Sequence, residues 1–186
     1  TLSSSSAASD VYKRQILDGA VYDEGKDITT EEFYAKLKTA KTFPSTTQPP
    51  LGEMLKLYEN LANEGYDTII SIHLASTISG FVNTLKGAVD EVQGAKVYVY
   101  DSQITVILMG WLVLAAAQMA EAGDDPEAIL ARLDNLRTTM GEYFIVNDLQ
   151  NLVRGGRLSN ASAFIGGMLK IKPLLTFADQ SHKIVA

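Results

Sequence analysis

The sequence predicts an α/β protein, with a parallel sheet enclosed by helices in one domain and part of a second α/β domain after it. Residues 67–74 and 96–100 are short, β-branched apolar runs, which is typical of strands buried on both faces. A segment with helical spacing of its apolar residues follows each run. Strand, helix, strand and helix in this order favour a parallel sheet with right-handed crossovers.

The other elements are predicted from local signals. We expect helices at residues 30–39, 51–64, 79–92, 104–121, 126–140 and 160–169. Shorter strands are expected within residues 21–29, at 143–147 and 171–177, and from 183 onward, with a helical turn at 148–153. Thr29 or Thr30 is expected to cap the first helix, since threonine is favoured at the N-cap. Pro126 lies in the first turn of the fifth helix, where proline is favoured.

The chain is expected to have three parts. Residues 1–15 are rich in serine and alanine, and they lack the basic start and apolar middle of a signal peptide, so we interpret them as a non-native leader rather than a native segment. Residues 16–124 form the predicted first domain, and residues 125–186 an incomplete second one. Because the chain stops in the middle of the hairpin whose second strand begins at Lys183, and natural domains avoid an exposed strand at a chain end, we expect a truncated C-terminus.

Composition excludes several classes of function. The 186 residues carry a formal charge of −6, which argues against nucleic-acid binding because phosphates require a basic surface. There are no cysteines and only 2 histidines, so thiolate chemistry is excluded and no metal site is expected. The common phosphate-binding loop patterns are absent from the sequence. We expect a cytoplasmic protein that needs no cofactor.

The most apolar stretch, residues 104–120, approaches the length of a membrane span. Gln118 interrupts it, Asp101 and Glu121 flank it, and no lysine or arginine anchors either end. We therefore interpret it as a helix buried in an α/β layer rather than as a membrane span.

Hydroxyl groups cluster at predicted helix starts. The clusters are Thr46 and Thr47 in TTQPP, Ser76, Thr77 and Ser79 in STISG, and Ser102 beside Asp101. The last two follow the predicted parallel strands, whose carboxyl ends border the ligand crevice of open α/β sheets. A helix start favours an anion there. The alternative is ordinary helix capping, worth about 1 kcal/mol for each residue. Gly80 beside Ser79 favours a ligand, because a glycine lets it approach the backbone.

A catalytic set is not evident. Ser79 lacks the GxSxG context of a nucleophilic serine, and His73 lies within a predicted strand. We interpret His73 as a satisfied core or lining residue rather than a general base. Arg154 and Arg157 bracket two glycines, and this loop is either a solvated turn or a guanidinium presented to a carboxylate or phosphate.

These motifs, in this order, resemble the DegV family of bacterial fatty-acid-binding proteins. The resemblance extends from about Ile16 to Val185. It rests on VYDEGKDITTEEFYAKL (residues 21–37), TTQPP (46–50), LASTISGF (74–81), VYVYDSQ (97–103) and NDLQNLVRGGRLSNASAFIGGMLKIKPLL (147–175).

The resemblance implies a DegV-like two-domain fold that holds one long-chain fatty acid between the domains. It also implies a carrier rather than an enzyme, which presents the acyl carboxylate to a separate fatty acid kinase for phospholipid synthesis. The family's carboxylate-binding positions, carried onto this chain, are Thr46 with Thr47, Ser79 or its neighbour Ser76, and Arg157. Apolar residues of the long helix that could line the acyl channel are Ile107, Leu108, Trp111 and Leu112.

The chain departs from the family pattern at three places. The leader stands where the family has an opening strand with an Asp-Ser motif, and Phe81 replaces a threonine. The family's C-terminal histidine segment has no counterpart in this sequence. We therefore expect the chain alone to bind fatty acid poorly. Two other classes of function compete with lipid binding. One is an enzyme, either a hydrolase that uses Ser79 or a phosphotransfer component related to dihydroxyacetone kinase. The other is a structural or regulatory partner without a ligand.

Overall fold

The computed structural model describes residues 14–23, 26–158, 172–178 and 182–185. Its strands there are β1 (Arg14–Leu17), β2 (Ala20–Asp23), β3 (Ser45–Thr46), β4 (Thr68–His73), β5 (Lys96–Asp101), β6 (Tyr143–Phe144), β7 (Leu175–Phe177) and β8 (Ile184–Val185). Its α-helices there are α1 (Thr30–Leu37), α2 (Leu51–Asn63), α3 (Phe81–Lys86), α4 (Val106–Ala122), α5 (Pro126–Thr138) and α6 (Leu149–Arg154). The predicted α/β class is confirmed.

The parallel sheet is formed by β4 and β5, in a register that pairs Thr68 with Lys96 and His73 with Asp101. Alternate side chains of each strand point to opposite faces, and each face has its own helical layer. Ile69, Val97 and Val99 pack against the cluster formed by α2 and α3. Ile70, Ile72 and Tyr100 instead belong to the cluster formed by α4 and α5. The result is the predicted α/β/α arrangement.

An antiparallel sheet in the order β2–β1–β3 precedes the parallel one. Asp18 and Gly19 join β1 to β2 with φ values of 48° and 83°, the geometry that two-residue hairpin turns prefer. Asp18 also accepts hydrogen bonds from the backbone N–H groups of Lys41 and Thr42 at 3.0 and 2.8 Å, which lower the pKa of its carboxyl group. These bonds fix the segment that leads into β3.

The third sheet, β6–β7–β8, is antiparallel and packs on a separate cluster of buried residues. Leu158, Leu175, Phe177 and Ile184 form the centre of this cluster. Ala75, which follows β4, is fully buried in the same cluster, so the parallel sheet and the third sheet meet at the start of the 76–80 turn.

Several predicted boundaries are corrected. The helix expected at 79–92 ends at Lys86, because Gly87 is a weak helix former, and a 3-10 turn at Val89–Glu91 follows. The strands expected at 143–147 and 171–177 shorten to β6 and β7 among the described residues. Arg14 and Gln15, assigned above to the leader, form the first half of β1. The helix expected at 160–169 lies outside the described residues.

Helix α5 packs against α4 and the parallel sheet, since Ile129 and Leu133 belong to the same buried cluster as Tyr100, Ile104 and Leu112. The predicted division between residues 124 and 125 therefore separates α5 from the strand and helix that it covers. The domain boundary itself stays a prediction.

Helix α4 is apolar around its whole circumference but only partly buried. Leu112 is fully buried against the sheet, whereas Ile107, Trp111 and Leu114 are exposed. In the part of the chain that the structure describes, no helix has the length and apolar character needed to cross a membrane.

Replacing Leu112 with alanine should lower the free energy of unfolding by about 2–5 kcal/mol, because it leaves a cavity between α4 and the sheet. Urea unfolding followed by circular dichroism measures this change. The matched control is Leu114→Ala on the same helix, where the side chain is 55% exposed and the loss should stay within about 0.5 kcal/mol. Equal losses at the two positions would contradict the assignment of the buried face.

Candidate ligand-binding site

The carboxyl ends of β4 and β5 are joined by one carboxylate. Asp101 Oδ1 accepts a hydrogen bond from the backbone N–H of Ser76 at 3.1 Å and from that of Gln103 at 3.0 Å. The first of these groups opens the turn after β4, and the second belongs to the turn after β5. Asp101 therefore holds both strand-to-helix turns at one edge of the sheet, as predicted from the strand order.

The 76–80 turn carries Ser76 and Ser79, both half-buried. The backbone N–H of Ser79 donates to the carbonyl of Ala75 at 3.1 Å, and the Ser79 hydroxyl oxygen lies 3.4 Å from the N–H of Phe81. This is a long contact within the turn, since Gly80 is the N-cap residue of α3 and the helix has no side-chain cap. The Ser79 hydroxyl keeps its own hydrogen for another acceptor, which is compatible with ligand binding.

The other hydroxyls of these clusters serve the fold. The Thr77 hydroxyl donates to the backbone carbonyl of His182, which ties the turn to the third sheet. Ser102 is fully buried, and its hydroxyl donates to the carbonyl of Ile104 at 3.1 Å. The predicted third cluster is thus a buried turn rather than a group presented at the crevice.

The 46–50 segment reaches the same turn. Thr46 pairs with Gln15 in the first sheet, and the Thr47 N–H donates to the Arg14 carbonyl at 3.0 Å; both threonines are exposed. The next residue, Gln48, approaches Gly80 so closely that a Cβ there would lie 3.3 Å from Gln48 Nε2. Gly80 therefore allows the two segments to abut.

The 154–157 loop also contacts the 76–80 turn. Arg157 is half-buried, and its Nε donates to the carbonyl of Ile78 at 3.0 Å. The guanidinium folds over Gly155, where a Cβ would lie only 2.8 Å from Arg157 Nη1. Arg154 is exposed, with its guanidinium carbon 5.3 Å from the centre of the Phe43 ring. Arg157 is thus held against the 76–80 turn, and which of the two alternatives applies to its guanidinium stays a prediction.

His73 does not face Ser79 as a base. Its Nε2 lies 2.7 Å from the Ser71 hydroxyl oxygen, which is 2.6 Å from the Tyr58 hydroxyl oxygen. Burial lowers the pKa of His73, and the nearby Asp101 carboxylate partly offsets that shift. The interpretation of His73 as a satisfied lining residue is supported. The hydrogen-bonded chain was not predicted, although Ser71 and His73 are two residues apart on one face of an apolar strand.

One apolar groove in the described residues lies away from the 76–80 turn. A groove of about 430 Å³ between α4 and α5 is lined by Trp111, Met119, Leu136 and Met140. It lies on the opposite face of the sheet from α3. Of the predicted channel residues, Leu112 and Leu108 pack in the core and Ile107 is exposed. These side chains therefore form no enclosed channel beside the 76–80 turn in this part of the chain.

Within the described ranges, no group of three or more histidine, aspartate or glutamate residues is arranged to hold a metal ion.

Comparison with known proteins identifies the family. A family model described as "Uncharacterised protein, DegV family" matches residues 14–186. The chain belongs to the DegV family. The resemblance inferred from the sequence motifs is confirmed, and the match begins at the residue where β1 begins.

Curated DegV relatives are longer than this chain. A DegV domain-containing protein of Listeria innocua is 43% identical over 165 residues, which cover 89% of this chain and 58% of the relative. Protein DegV of Bacillus subtilis is 43% identical over 157 residues, which cover 84% of this chain and 56% of the relative. The chain therefore spans slightly more than half the length of these relatives.

Solved DegV structures share the fold. A fatty acid binding DegV family protein from Streptococcus agalactiae matches with a TM-score of 0.86 and 36% identity, over 94% of this chain and 61% of that one. DegV from Bacillus subtilis, described as a fatty acid binding protein, matches with a TM-score of 0.80 and 38% identity over the same shares. The DegV-like fold is thus confirmed.

Replacing Asp101 with alanine should lower the free energy of unfolding by about 2 kcal/mol, because two backbone N–H groups lose their acceptor. Thermal and urea unfolding measure the loss. Glu59→Ala, at an exposed position on α2, is the control and should change stability by less than about 0.5 kcal/mol. If the two variants were equally stable, Asp101 would not hold the two turns.

Proposed function

We propose that this chain supplies the carboxylate-binding part of a protein that binds one long-chain fatty acid. The observation that carries the proposal is that two other segments of the chain contact the 76–80 turn. Arg157 reaches Ile78 from the 154–157 loop, and Gln48 reaches Gly80 from the 46–50 segment. Their convergence beyond the carboxyl end of β4 supports a shared ligand at the edge where open α/β sheets bind one.

Arg157 is the proposed source of positive charge. Its Nε is used by the Ile78 carbonyl, while the Nη atoms carry four further N–H groups. A guanidinium can present two parallel N–H groups to the two oxygens of a carboxylate. The bond to Ile78 fixes the direction of the guanidinium before a ligand arrives, which lowers the entropic cost of binding.

The hydroxyls of Ser79, Ser76, Thr46 and Thr47 are the proposed neutral partners of the carboxylate. Ser79 belongs to the turn that Arg157 contacts, and the two threonines precede Gln48. Hydroxyl donors stabilise a carboxylate without adding fixed charge, so a single arginine balances a single acyl headgroup. This composition suits a monoanion better than a phosphate, which carries more charge at neutral pH.

The solved relatives support an acyl ligand. The Streptococcus agalactiae, Bacillus subtilis and Thermus thermophilus proteins, at 36%, 38% and 34% identity, are each described as fatty acid binding. A relative from Eubacterium ventriosum at 25% identity is described as a stearic acid-binding protein. We extend this ligand class to the present chain.

The acyl chain supplies most of the proposed affinity. Burying one methylene group stabilises a complex by about 0.8 kcal/mol, so a long chain needs an enclosed apolar wall. The apolar groove between α4 and α5 does not include the 76–80 turn, and the matching relatives are longer than this chain. We therefore propose that the wall requires the family-length protein, and that this chain alone binds fatty acid poorly.

We further propose a carrier role in the cytoplasm, in which the bound carboxylate is presented to a fatty acid kinase. The support is chemical: the candidate site offers donors to a carboxylate, and its serine has no base within the described contacts. Phosphorylation would then be carried out by the partner, and the chain itself would not be an enzyme.

A serine-dependent hydrolase is the competing function. It requires a base that removes the proton from Ser79, as histidine does in the serine triads. Here His73 Nε2 bonds to Ser71 instead. A phosphotransfer component related to dihydroxyacetone kinase would need a phosphate-binding loop, and the sequence has no Walker-type pattern. Neither alternative has a structural observation in its favour.

Lipid extraction and mass spectrometry test the proposed function. Two proteins would be purified from bacteria: the 186-residue chain, and a chimera in which residues 14–186 replace the matching segment of Bacillus subtilis DegV. We expect about one acyl group per chimera and much less on the chain alone. A folded chimera without acyl mass, beside a loaded Bacillus subtilis protein, would contradict the proposal.

Substitutions in the chimera test the site residues. Arg157→Gln should weaken fatty acid binding about ten- to hundredfold, since it removes a charged donor, and Ser79→Ala about fivefold. Calorimetric titration with vaccenic acid measures both. Arg132→Gln on α5 and Thr68→Ala at the opposite end of β4 are the matched controls and should leave affinity within twofold. If the controls weakened binding as much as the site variants, the assigned residues would be wrong.

A further inference from the structure

A buried hydrogen-bonded chain lies directly behind the candidate site. The Tyr58 hydroxyl of α2 is 2.6 Å from the Ser71 hydroxyl, and the Ser71 hydroxyl is 2.7 Å from His73 Nε2. Tyr58 is almost fully buried at 2% exposure. Polar groups in such a place are stable only when they are paired, so their positions are closely determined.

The ring of His73 also contacts the start of α3. It meets the Phe81 ring edge to face, with the ring centres 5.8 Å apart and the planes at 80°. Phe81 is buried and follows Gly80, the residue that Gln48 approaches. The His73 side chain therefore contacts α3 through Phe81 and is linked to α2 through the Ser71 hydroxyl. Helix α2 follows the 46–50 segment, and α3 follows the 76–80 turn.

His73 faces Asp101 across the parallel pair. The two residues are register partners in β4 and β5, and Asp101 Oδ1 is the acceptor for the Ser76 and Gln103 N–H groups. A positive charge on His73 would attract this carboxylate and compete with the two N–H groups for it. The charge state of His73 is thus coupled by geometry to the anchor of the 76–80 turn.

We propose that His73 is a positioning residue for the fatty acid site, which holds the 76–80 turn in place when neutral and displaces it when protonated. The effect on acyl binding rests on the proposed function, whereas the contacts of His73 with Ser71 and Phe81 do not depend on a ligand. His73 would then make acyl binding weaker in mildly acidic conditions, without touching the ligand.

The groups around His73 determine the direction of the pH effect. Among the described residues, the Asp101 carboxylate on β5 acts on His73 directly, Tyr58 on α2 reaches it through the Ser71 hydroxyl, and Phe81 contacts it from α3. Burial, the larger effect, lowers the pKa of His73, and Asp101 raises it. A base with a lowered folded pKa stabilises the fold fully above its unfolded pKa of about 6.5. That stabilisation is lost as pH falls from there through the folded pKa.

Nuclear magnetic resonance on the 186-residue chain tests the coupling without ligand. Between pH 7.5 and 5, we expect the amide resonances of Ser76, Ser79 and Gly80 to shift with one midpoint below 6.5. We expect the ring protons of His73 to titrate with the same midpoint. His73→Gln, which keeps a side-chain nitrogen for Ser71 but cannot titrate there, should abolish the amide shifts.

His182→Gln is the matched control, because His182 is the second of the 2 histidines in the chain. Its backbone carbonyl accepts a hydrogen bond from the Thr77 hydroxyl in the 76–80 turn. The His182→Gln variant should leave the amide shifts of the 76–80 turn unchanged. Shifts that persist in His73→Gln, or that disappear in His182→Gln, would overturn the proposal. If His73→Gln does not fold, the unmodified chain decides the matter, since different midpoints for the His73 ring and the Gly80 amide would also overturn it.

Binding measurements on the chimera separate this proposal from the proposed function. With vaccenic acid as the probe, affinity should fall about fivefold more between pH 7.5 and 5.5 in the parent chimera than in its His73→Gln variant. An equal fall in both would refute the role of His73 while leaving fatty acid binding intact. Absence of binding at every pH would refute the proposed function, and the amide titration would still test His73.

Discussion

The carboxylate of Asp101 is the constraint on which the candidate site depends. A parallel pair of strands brings two strand-to-helix turns to one edge, and backbone bonds from the Ala75 N–H to the Ile104 carbonyl at 2.9 Å and from the Ser102 N–H to the His73 carbonyl at 3.0 Å join them there. Asp101 accepts one N–H group from each turn. Because these bonds are charge-assisted, they are stronger than ordinary backbone bonds and hold the turns without help from a ligand.

The sequence predicts the features that are local. The β-branched runs of β4 and β5, the cap at Thr29 and the proline start of α5 each depend on a few neighbouring residues, and all occur in the structure. Asp18 and Gly19 carry an equally local hairpin signal, but the interpretation of residues 1–15 as a leader leaves β1 out of the predicted sheet. The break at Gly87 is not predicted, because the apolar spacing continues through it to Val92.

Contacts between distant segments could not be predicted from spacing. The approach of Gln48 to Gly80 and of Arg157 to Ile78 depends on how separate sheets pack, which no periodicity records. Family motifs point to candidate residues, but they do not predict that Thr77 bonds to the segment before β8 or that Ser102 is buried. A hydroxyl at a helix start has the same sequence signature whether it caps, braces or binds.

The candidate site is stable by itself because few of its polar groups depend on a ligand. Arg157 is half-buried, and an unpaired guanidinium there would be costly, but its bond to the Ile78 carbonyl satisfies one donor and leaves the others at the surface of the turn. Ser79 likewise has a long contact with the Phe81 N–H. The proposed site is therefore arranged before any ligand binds. Neutral hydroxyls grouped with one arginine, as proposed, would favour a monoanionic headgroup over a more highly charged one.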